Sequence, residues 1–281
     1  MILLLKVSSK TVHNKNELPT YFIECLFQVS TIAHDPNAAP PCDYTNCTLP
    51  DCFCSSDGTL IPGALLPTDV PQMIVITFDD AINDENWSLY QDKIFPPSYK
   101  NPNGCPIHGT FYTSHQYTNY AMVQKLWNQG HEIAVHSITH RGPEEWWGKN
   151  ATIEDWFDEM VGQANIINRF GGVDMEDIRG LRVPFLSVGW NRQFLMMREF
   201  GFVYDSSIAA PVSDPPLWPY TLDYQIPHKC IGNRSAWTAG VQRDLACFCL
   251  IRHNTFTVLF WSGSVPPGHS PASGRCLSTR S

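Results

Sequence analysis

From Met73 onward, short runs of β-branched and aromatic residues alternate with segments of helical period, and this alternation is what most restricts the fold. Met73-Ile-Val-Ile-Thr-Phe78 is a nearly continuous β-branched and apolar run, as in a strand buried on both faces. Gly109–Thr113 and Glu132–Val135 predict two further strands, Ile178–Val183 a fourth leading into Pro184, and Phe202–Tyr204 a short fifth. Between them, Tyr120–Asn128 carries apolar residues at Met122, Val123, Leu126 and Trp127, with Gly130 as its C′ residue. Thr152 and Asp155 make a capping-box pattern with Asp in place of Glu. That pattern opens a helix to about Phe170, which Gly171-Gly172 ends, and Asn191–Phe200 is a further helix stopped by Gly201. Strands alternating with helices predict the α/β class, as a parallel sheet or barrel. Functional groups in such folds gather at the carboxyl ends of strands. Asp79, Asp80, His136, Arg182 and Asp205 all fall at such ends.

Those ends carry a recognisable chemistry. Neighbouring side chains at a strand end point opposite ways, so of Asp79 and Asp80 one can bind metal while the other faces substrate. The spacing of four between His136 and His140 brings both imidazoles onto one side of a turn or helix start. One carboxylate and two imidazoles are the ligand set of an open hydrolytic metal site, suited to Zn²⁺, with Co²⁺, Ni²⁺ or Mn²⁺ able to take the same set. The bland readings are a turn or helix cap for the aspartates and satisfied core residues for the histidines. A calcium loop is set aside, because Asp79–Asn86 lacks a central glycine and a terminal glutamate. Arg182, in Arg-Val-Pro-Phe, is either a surface charge beside a proline-kinked exit or a guanidinium holding a catalytic carboxylate by a bidentate pair. On the second reading Phe185 offers its backbone N–H as an oxyanion donor just after the fixed Pro184 dihedral.

Composition narrows the setting. With 281 residues, 43% hydrophobic and 12% aromatic, the chain is too apolar to be disordered and long enough for one large α/β domain or two small ones. A net charge of -8 argues against nucleic acid or an anionic membrane as partner and suits a neutral or cationic ligand. No apolar run reaches the roughly 18 residues of a membrane span. Ten cysteines, four of them at 42, 47, 52 and 54, indicate disulfides in a secreted protein or zinc in a cytosolic one. Glycosylation patterns at Asn46, Asn86, Asn150 and Asn233 favour the extracellular alternative, although the N-terminus does not read cleanly as a signal peptide. Residues 1–40 read as leader or linker, and 41–70 as a covalently tied loop layer.

Thr-Phe-Asp-Asp at 77–80, His-Ser-Ile-Thr-His at 136–140 and Arg-Val-Pro-Phe at 182–185 together resemble the first three motifs of the polysaccharide deacetylases, carbohydrate esterase family four. The Cys-rich lead-in Cys42–Gly63, the run Trp190–Phe194 and the segment Ser213–Asp223 are similar to arthropod chitin deacetylases of the short, gut type without a chitin-binding module. The resemblance covers roughly residues 42–233 and makes 71–233 the catalytic domain, a distorted (β/α) barrel incomplete at its C-terminus. It implies Asp79 as general base, Asp80, His136 and His140 as ligands of Zn²⁺, and Arg182 as the residue orienting Asp79. It places Trp218 in the substrate groove, where a packing role for the proline-rich loop is the plainer reading. The implied reaction is hydrolysis of the N-acetyl groups of chitin or chito-oligosaccharides to chitosan and acetate, by a secreted monomer of the gut lumen or peritrophic matrix. Hydrolysis of another acetylated glycan or small amide is the alternative.

After Asn233 the resemblance stops. The family's general acid, a histidine following a leucine on a late strand, has no supported match in 234–281, where Leu250-Ile-Arg-His253 only mimics the pattern. The tail reads like an alternative exon or a shifted frame. The expectation is a sheet lacking its last strands, with an exposed edge and unpaired Cys247, Cys249 or Cys276. Such a chain keeps its metal site yet is poorly stable or inactive, acting at most as a chitin-binding protein.

Overall fold

A computed structural model of the chain describes residues 39–70 and 73–228, together with the backbone of Thr257–Val258. These lie in the larger of two compact units, Asn37–Ser281; the smaller, Met1–Pro36, falls outside the described residues. The alternation of strands and helices becomes one parallel sheet of six strands in sequence order. The strands are β1 (Thr77–Asp80), β2 (Thr110–Thr113), β3 (Glu132–Val135), β4 (Gly180–Leu181), β5 (Tyr204–Asp205) and β6 (Thr257–Val258).

Register decides where the chemistry emerges. Asp80 pairs with Thr113, and Thr113 with Val135, so the ends of β1, β2 and β3 lie in one row. His136 is the next residue after that row, and its N–H continues the ladder to the Thr113 carbonyl at 3.1 Å. The Arg182 N–H does the same to Val135 at 2.9 Å. One edge of the sheet therefore presents all the strand-end residues together.

The first, fourth and fifth strands are shorter than the sequence indicates, β4 keeping only Gly180–Leu181 of the expected Ile178–Val183. Pairing of β1 begins at Thr77, and Met73, Ile74 and Val75 are 52%, 71% and 55% exposed, contrary to a strand buried on both faces. The reason is position: β1 is an edge strand with β2 as its one neighbour among the described residues. The fifth strand is shifted, because the N–H groups of Gly201 and Phe202 both close onto the Met197 carbonyl at 2.9 Å. This ending of the preceding helix, with Gly201 at φ 94°, takes Phe202 out of the sheet and leaves Tyr204–Asp205 to pair.

The helices follow their local signals, beginning with the short α1 (Asp84–Ser88), capped by the Asn83 side chain. In α2 (Tyr120–Asn128) the Asn119 side chain accepts from the Ala121 N–H, and Gly130 takes φ 90°. Thr152 and Asp155 form a reciprocal capping box at the start of α3 (Ile153–Trp156). A π-helical turn, Phe157–Val161, joins α3 to α4 (Gly162–Gly171), which Gly172 closes at φ 62°. Trp156, Met160, Ala164 and Ile167 are fully buried along one stripe of this run, packed in a core with Trp147, Leu126, Ile133 and Leu181. The last helix is α5 (Asn191–Phe200).

Ahead of the sheet, Cys42–Cys54 and Cys47–Cys52 are disulfides, which decides between the two readings of these four cysteines. The segment they tie lies against 218–221 through Trp218 N–H to Gly58 O (2.9 Å) and Thr221 N–H to Phe53 O (2.8 Å). Of the glycosylation patterns, Asn46 and Asn150 are exposed, while Asn233 lies outside the described residues. Asn86 is half-buried in a capping box with Asn83, its Nδ2 donating to the Ala81 carbonyl at 2.7 Å. From the tail, β6 pairs with β5, Tyr204 opposite Thr257; Cys247, Cys249, His253 and Cys276 lie outside the described residues. Among the described residues no helix is long and apolar enough to cross a membrane.

Candidate metal centre

At the carboxyl edge of the sheet, Asp80, His136 and His140 each point one ligand atom into a common space, all within 4.8 Å of one another. Asp80 Oδ1 stands 3.7 Å from His136 Nε2 and 3.5 Å from His140 Nε2. Zn²⁺ is bound at about 2.0–2.1 Å by such donors, so separations in this range suit one shared cation. His136 is buried at 3% exposure, and its Nδ1 lies 2.7 Å from the Arg182 carbonyl. Donation of Nδ1–H to that carbonyl leaves Nε2 with its lone pair facing the cluster. Burial lowers the His136 pKa, which favours the neutral form a ligand needs. Asp80 is the open side, its side chain 63% exposed.

The loop from Ser137 to His140 is sharply bent. Ser137 and His140 take φ of 70° and 44°, and the Ser137 hydroxyl accepts the His140 N–H at 3.1 Å. Asp80 itself takes φ 74°. Left-handed conformations of non-glycine residues cost of order 1–3 kcal/mol each and persist only where neighbours hold them. The His140 ring is braced edge-on by Phe185, centroids 4.7 Å apart.

Beside the cluster, Arg182 donates from NH1 to Asp79 Oδ1 at 2.7 Å and to the Thr77 hydroxyl at 3.1 Å. The expected bidentate pair is absent. Nε and NH2 go instead to the carbonyl and hydroxyl of Ser206, at 2.9 and 2.8 Å, so the fork is held by Ser206 and offers one prong to Asp79. The guanidinium also lies over the Tyr112 ring, 4.1 Å from its centroid. Asp205 supports this arrangement from below. Fully buried, it accepts from Gln193 Nε2 (2.7 Å) and from the Ser207 hydroxyl and N–H (2.6 and 2.9 Å). Burial raises its pKa to about 6, against the lowering effect of those hydrogen bonds. The Ser207 hydroxyl in turn accepts the Val183 N–H at 2.8 Å, which fixes the start of the Pro184–Leu186 turn.

Five of the expected site residues, Asp79, Asp80, His136, His140 and Arg182, therefore stand together, and Phe185 joins them through its ring. Phe185 takes φ 60°, and its N–H has no hydrogen-bond partner among the described residues. Trp218 is placed differently. It lines an apolar cavity with Leu49, Phe53, Leu65, Met73 and Tyr220, and none of the five polar residues borders that cavity. This surrounding is compatible with an anchor for the proline-rich loop, a role that can coexist with one in the substrate groove. Sequence reasoning missed Ser206, Ser207, Gln193, Tyr112 and Glu159. For Glu159 a signal existed: it falls three residues after Trp156 and one before Met160, on the apolar stripe of its helix.

No family model matches the chain. Two curated relatives do. "Chitin deacetylase 1" of Bombyx mori is 56% identical over 202 residues, 72% of this chain and 37% of the relative. "Chitin deacetylase 8" of the same organism is 42% identical over 194 residues, 69% of this chain and 50% of the relative. The chain belongs to the polysaccharide deacetylase family. The chain spans between about a third and a half of the length of the curated relatives it matches. Solved structures align loosely. A family 4 carbohydrate esterase from Streptomyces lividans, in complex with acetate, is 20% identical over 49% of this chain and 62% of that one, with a TM-score of 0.35. The catalytic domain of a peptidoglycan N-acetylglucosamine deacetylase from Eubacterium rectale is 21% identical over 50% and 59%, with a TM-score of 0.31.

Proposed function

We propose that the chain is an extracellular, zinc-dependent deacetylase that hydrolyses the N-acetyl groups of chitin or its oligomers and releases acetate. The observation that carries this reading is the separation of roles at one strand end. Asp79 is tied to a guanidinium, while Asp80 faces two imidazoles. An ion held by Asp80, His136 and His140 supplies Lewis acidity, lowering the pKa of water toward about 7 and polarising the acetamide carbonyl; Co²⁺ suits the same donors.

The chain's own residues do the rest. Arg182 orients Asp79 through Oδ1, which leaves the second oxygen to take a proton from the attacking water. The unpartnered N–H of Phe185, next to the cluster, is suited to the developing oxyanion, a contact typically worth about 10²–10³ in rate. Departure of the amine needs a proton as well, and the Leu-x-x-His donor weighed from the sequence falls outside the described residues. The disulfides Cys42–Cys54 and Cys47–Cys52 support an oxidising, extracellular setting.

Acetate released from N-acetylglucosamine oligomers by the full chain tests the proposal, and would overturn the expectation that the tail leaves the chain inactive. Release should disappear with a chelator, return with Zn²⁺ or Co²⁺, and fall by about 10²–10⁴ in Asp79→Asn. Oligomer binding without acetate release would instead indicate a binding protein, and preference for acetylated xylan or peptidoglycan would overturn the substrate assignment.

A further inference from the structure

We propose that Glu159, which is no ligand itself, is the positioning residue that holds the loop carrying His140 in its ligating shape. The inference rests on the metal reading above. Glu159 lies in the π-helical turn between α3 and α4 and is buried at 6% exposure. Its Oε2 accepts the N–H groups of Ile138 and Thr139 at 3.1 and 2.9 Å, and its Oε1 accepts the Thr139 hydroxyl at 2.6 Å. All three bonds go to the stretch between the two histidine ligands. No lysine, arginine or histidine pairs with Glu159 among the described residues.

A buried carboxylate is costly, and an unpaired one more so, unless hydrogen bonds satisfy it. Here the satisfying groups belong to a loop that needs holding. Ser137 and His140 are both left-handed, and the N–H groups at 138 and 139 are turned toward the Glu159 carboxylate on the helix. The helix surface is fitted to the loop one turn further on. A Cβ at Gly162 would lie 2.8 Å from Ile138 Cδ1, so the absence of a side chain there makes room for Ile138. Glu159 and Gly162 form a seat: one bonds the loop's backbone, the other admits its apolar side chain. Without the carboxylate, two backbone N–H groups lose their partner in the helix and the loop is free to relieve its strained φ values. His140 Nε2 then leaves its place beside Asp80.

The role assigned is hydrogen-bond acceptance rather than charge, and this separates two variants. In Glu159→Gln the amide oxygen can accept both backbone N–H groups, and the NH₂ can donate to the Thr139 hydroxyl. Glu159→Ala can do neither. Zn²⁺ affinity of the full chain, measured by competition with a chromophoric chelator, should fall about 10–100-fold in Glu159→Ala and stay within about threefold in Glu159→Gln. The visible spectrum of Co²⁺-loaded Glu159→Ala should move toward that of His140→Ala. In the His140→Ala background Glu159→Ala should cost no further affinity, because it acts through that ligand. Should Glu159→Ala not fold, Thr139→Val removes one of the three bonds and is expected to weaken Zn²⁺ binding about three- to tenfold.

A folded Glu159→Ala, or Thr139→Val, with wild-type Zn²⁺ affinity would overturn the proposal and leave Glu159 a packing residue. Glu159→Gln as weak as Glu159→Ala would overturn it in favour of charge. Failure of the parent chain to bind Zn²⁺ in a manner dependent on Asp80 would overturn the metal reading itself, which distinguishes the two.

Discussion

Arg182 divides its donors unequally, with two directions to Ser206, one prong shared by Asp79 and Thr77, and its face on Tyr112. A lysine supplies the charge but neither the fork nor the flat face. Arg182→Lys should therefore lower kcat for acetate release at least about 10²-fold while leaving Zn²⁺ affinity near that of the parent, as steady-state kinetics and chelator competition would show. A second consequence at this scale concerns acid stability. His131 is buried, and its Nδ1 accepts the Gly109 N–H at 3.1 Å, a bond only the neutral ring can accept. Burial, with a smaller contribution from His108, lowers its pKa to about 4. The unfolded chain takes up that proton near pH 6.5 and the native one only near 4, so stability is complete above pH 6.5 and declines as pH falls toward 4. After allowance for solvent screening the loss is about 1–2 kcal/mol. Urea unfolding at pH 7.5 and 5 should show it, and His131→Asn, with Oδ1 in place of Nδ1, should flatten the dependence.

At the scale of elements, the long helical run from Ile153 depends on a local device. Thr152 and Asp155 exchange hydrogen bonds at its start, and Thr152→Ala should cost about 1 kcal/mol in thermal or urea unfolding. Signals of this kind act over three or four residues, which is why helix boundaries at Gly130, Thr152, Gly172 and Gly201 were readable in the chain. The strands were readable in kind but not in extent. A β-branched run records that Met73–Val75 can be extended, not whether a neighbour is there to pair with it. Phe202 carries an apolar side chain suited to a strand, yet its N–H is taken by the close of α5. The candidate site divides the same way. Asp79, Asp80, His136, His140 and Arg182 are residue types that stand out at strand ends, so their convergence was legible. Ser206 acts through a contact 24 positions away, where no local pattern marks it; for Glu159 the apolar stripe marks burial, but not the partner 21 positions away that it bonds. The neighbours of Trp218 were not legible: they are apolar side chains of the Cys-rich layer, far from it in the chain.

At the scale of the molecule, that layer is held by cross-links and by a few contacts to 218–221. Closing a loop of 12 residues by Cys42–Cys54 stabilises by roughly 3 kcal/mol in the chain-entropy account. Paired Cys42→Ser and Cys54→Ser changes should lower the thermal midpoint by several degrees, and reductant should add less to the loss in that variant than in the parent. The layer walls the cavity that holds Trp218, so tryptophan emission is expected to shift to the red in the same variant.

The two aspartates belong to the edge strand, while His136 follows an interior strand flanked on both sides. A cation shared between Asp80 and the histidines is then a clasp across β2, fastening the frayable border of the sheet to its settled middle. Hydrogen–deuterium exchange would register this as a gradient. In the metal-stripped chain, amides of 77–80 should exchange well before those of 132–135, and Zn²⁺ should slow the first set far more than the second. Occupancy of the site would thus be readable from the backbone alone, with no substrate turned over.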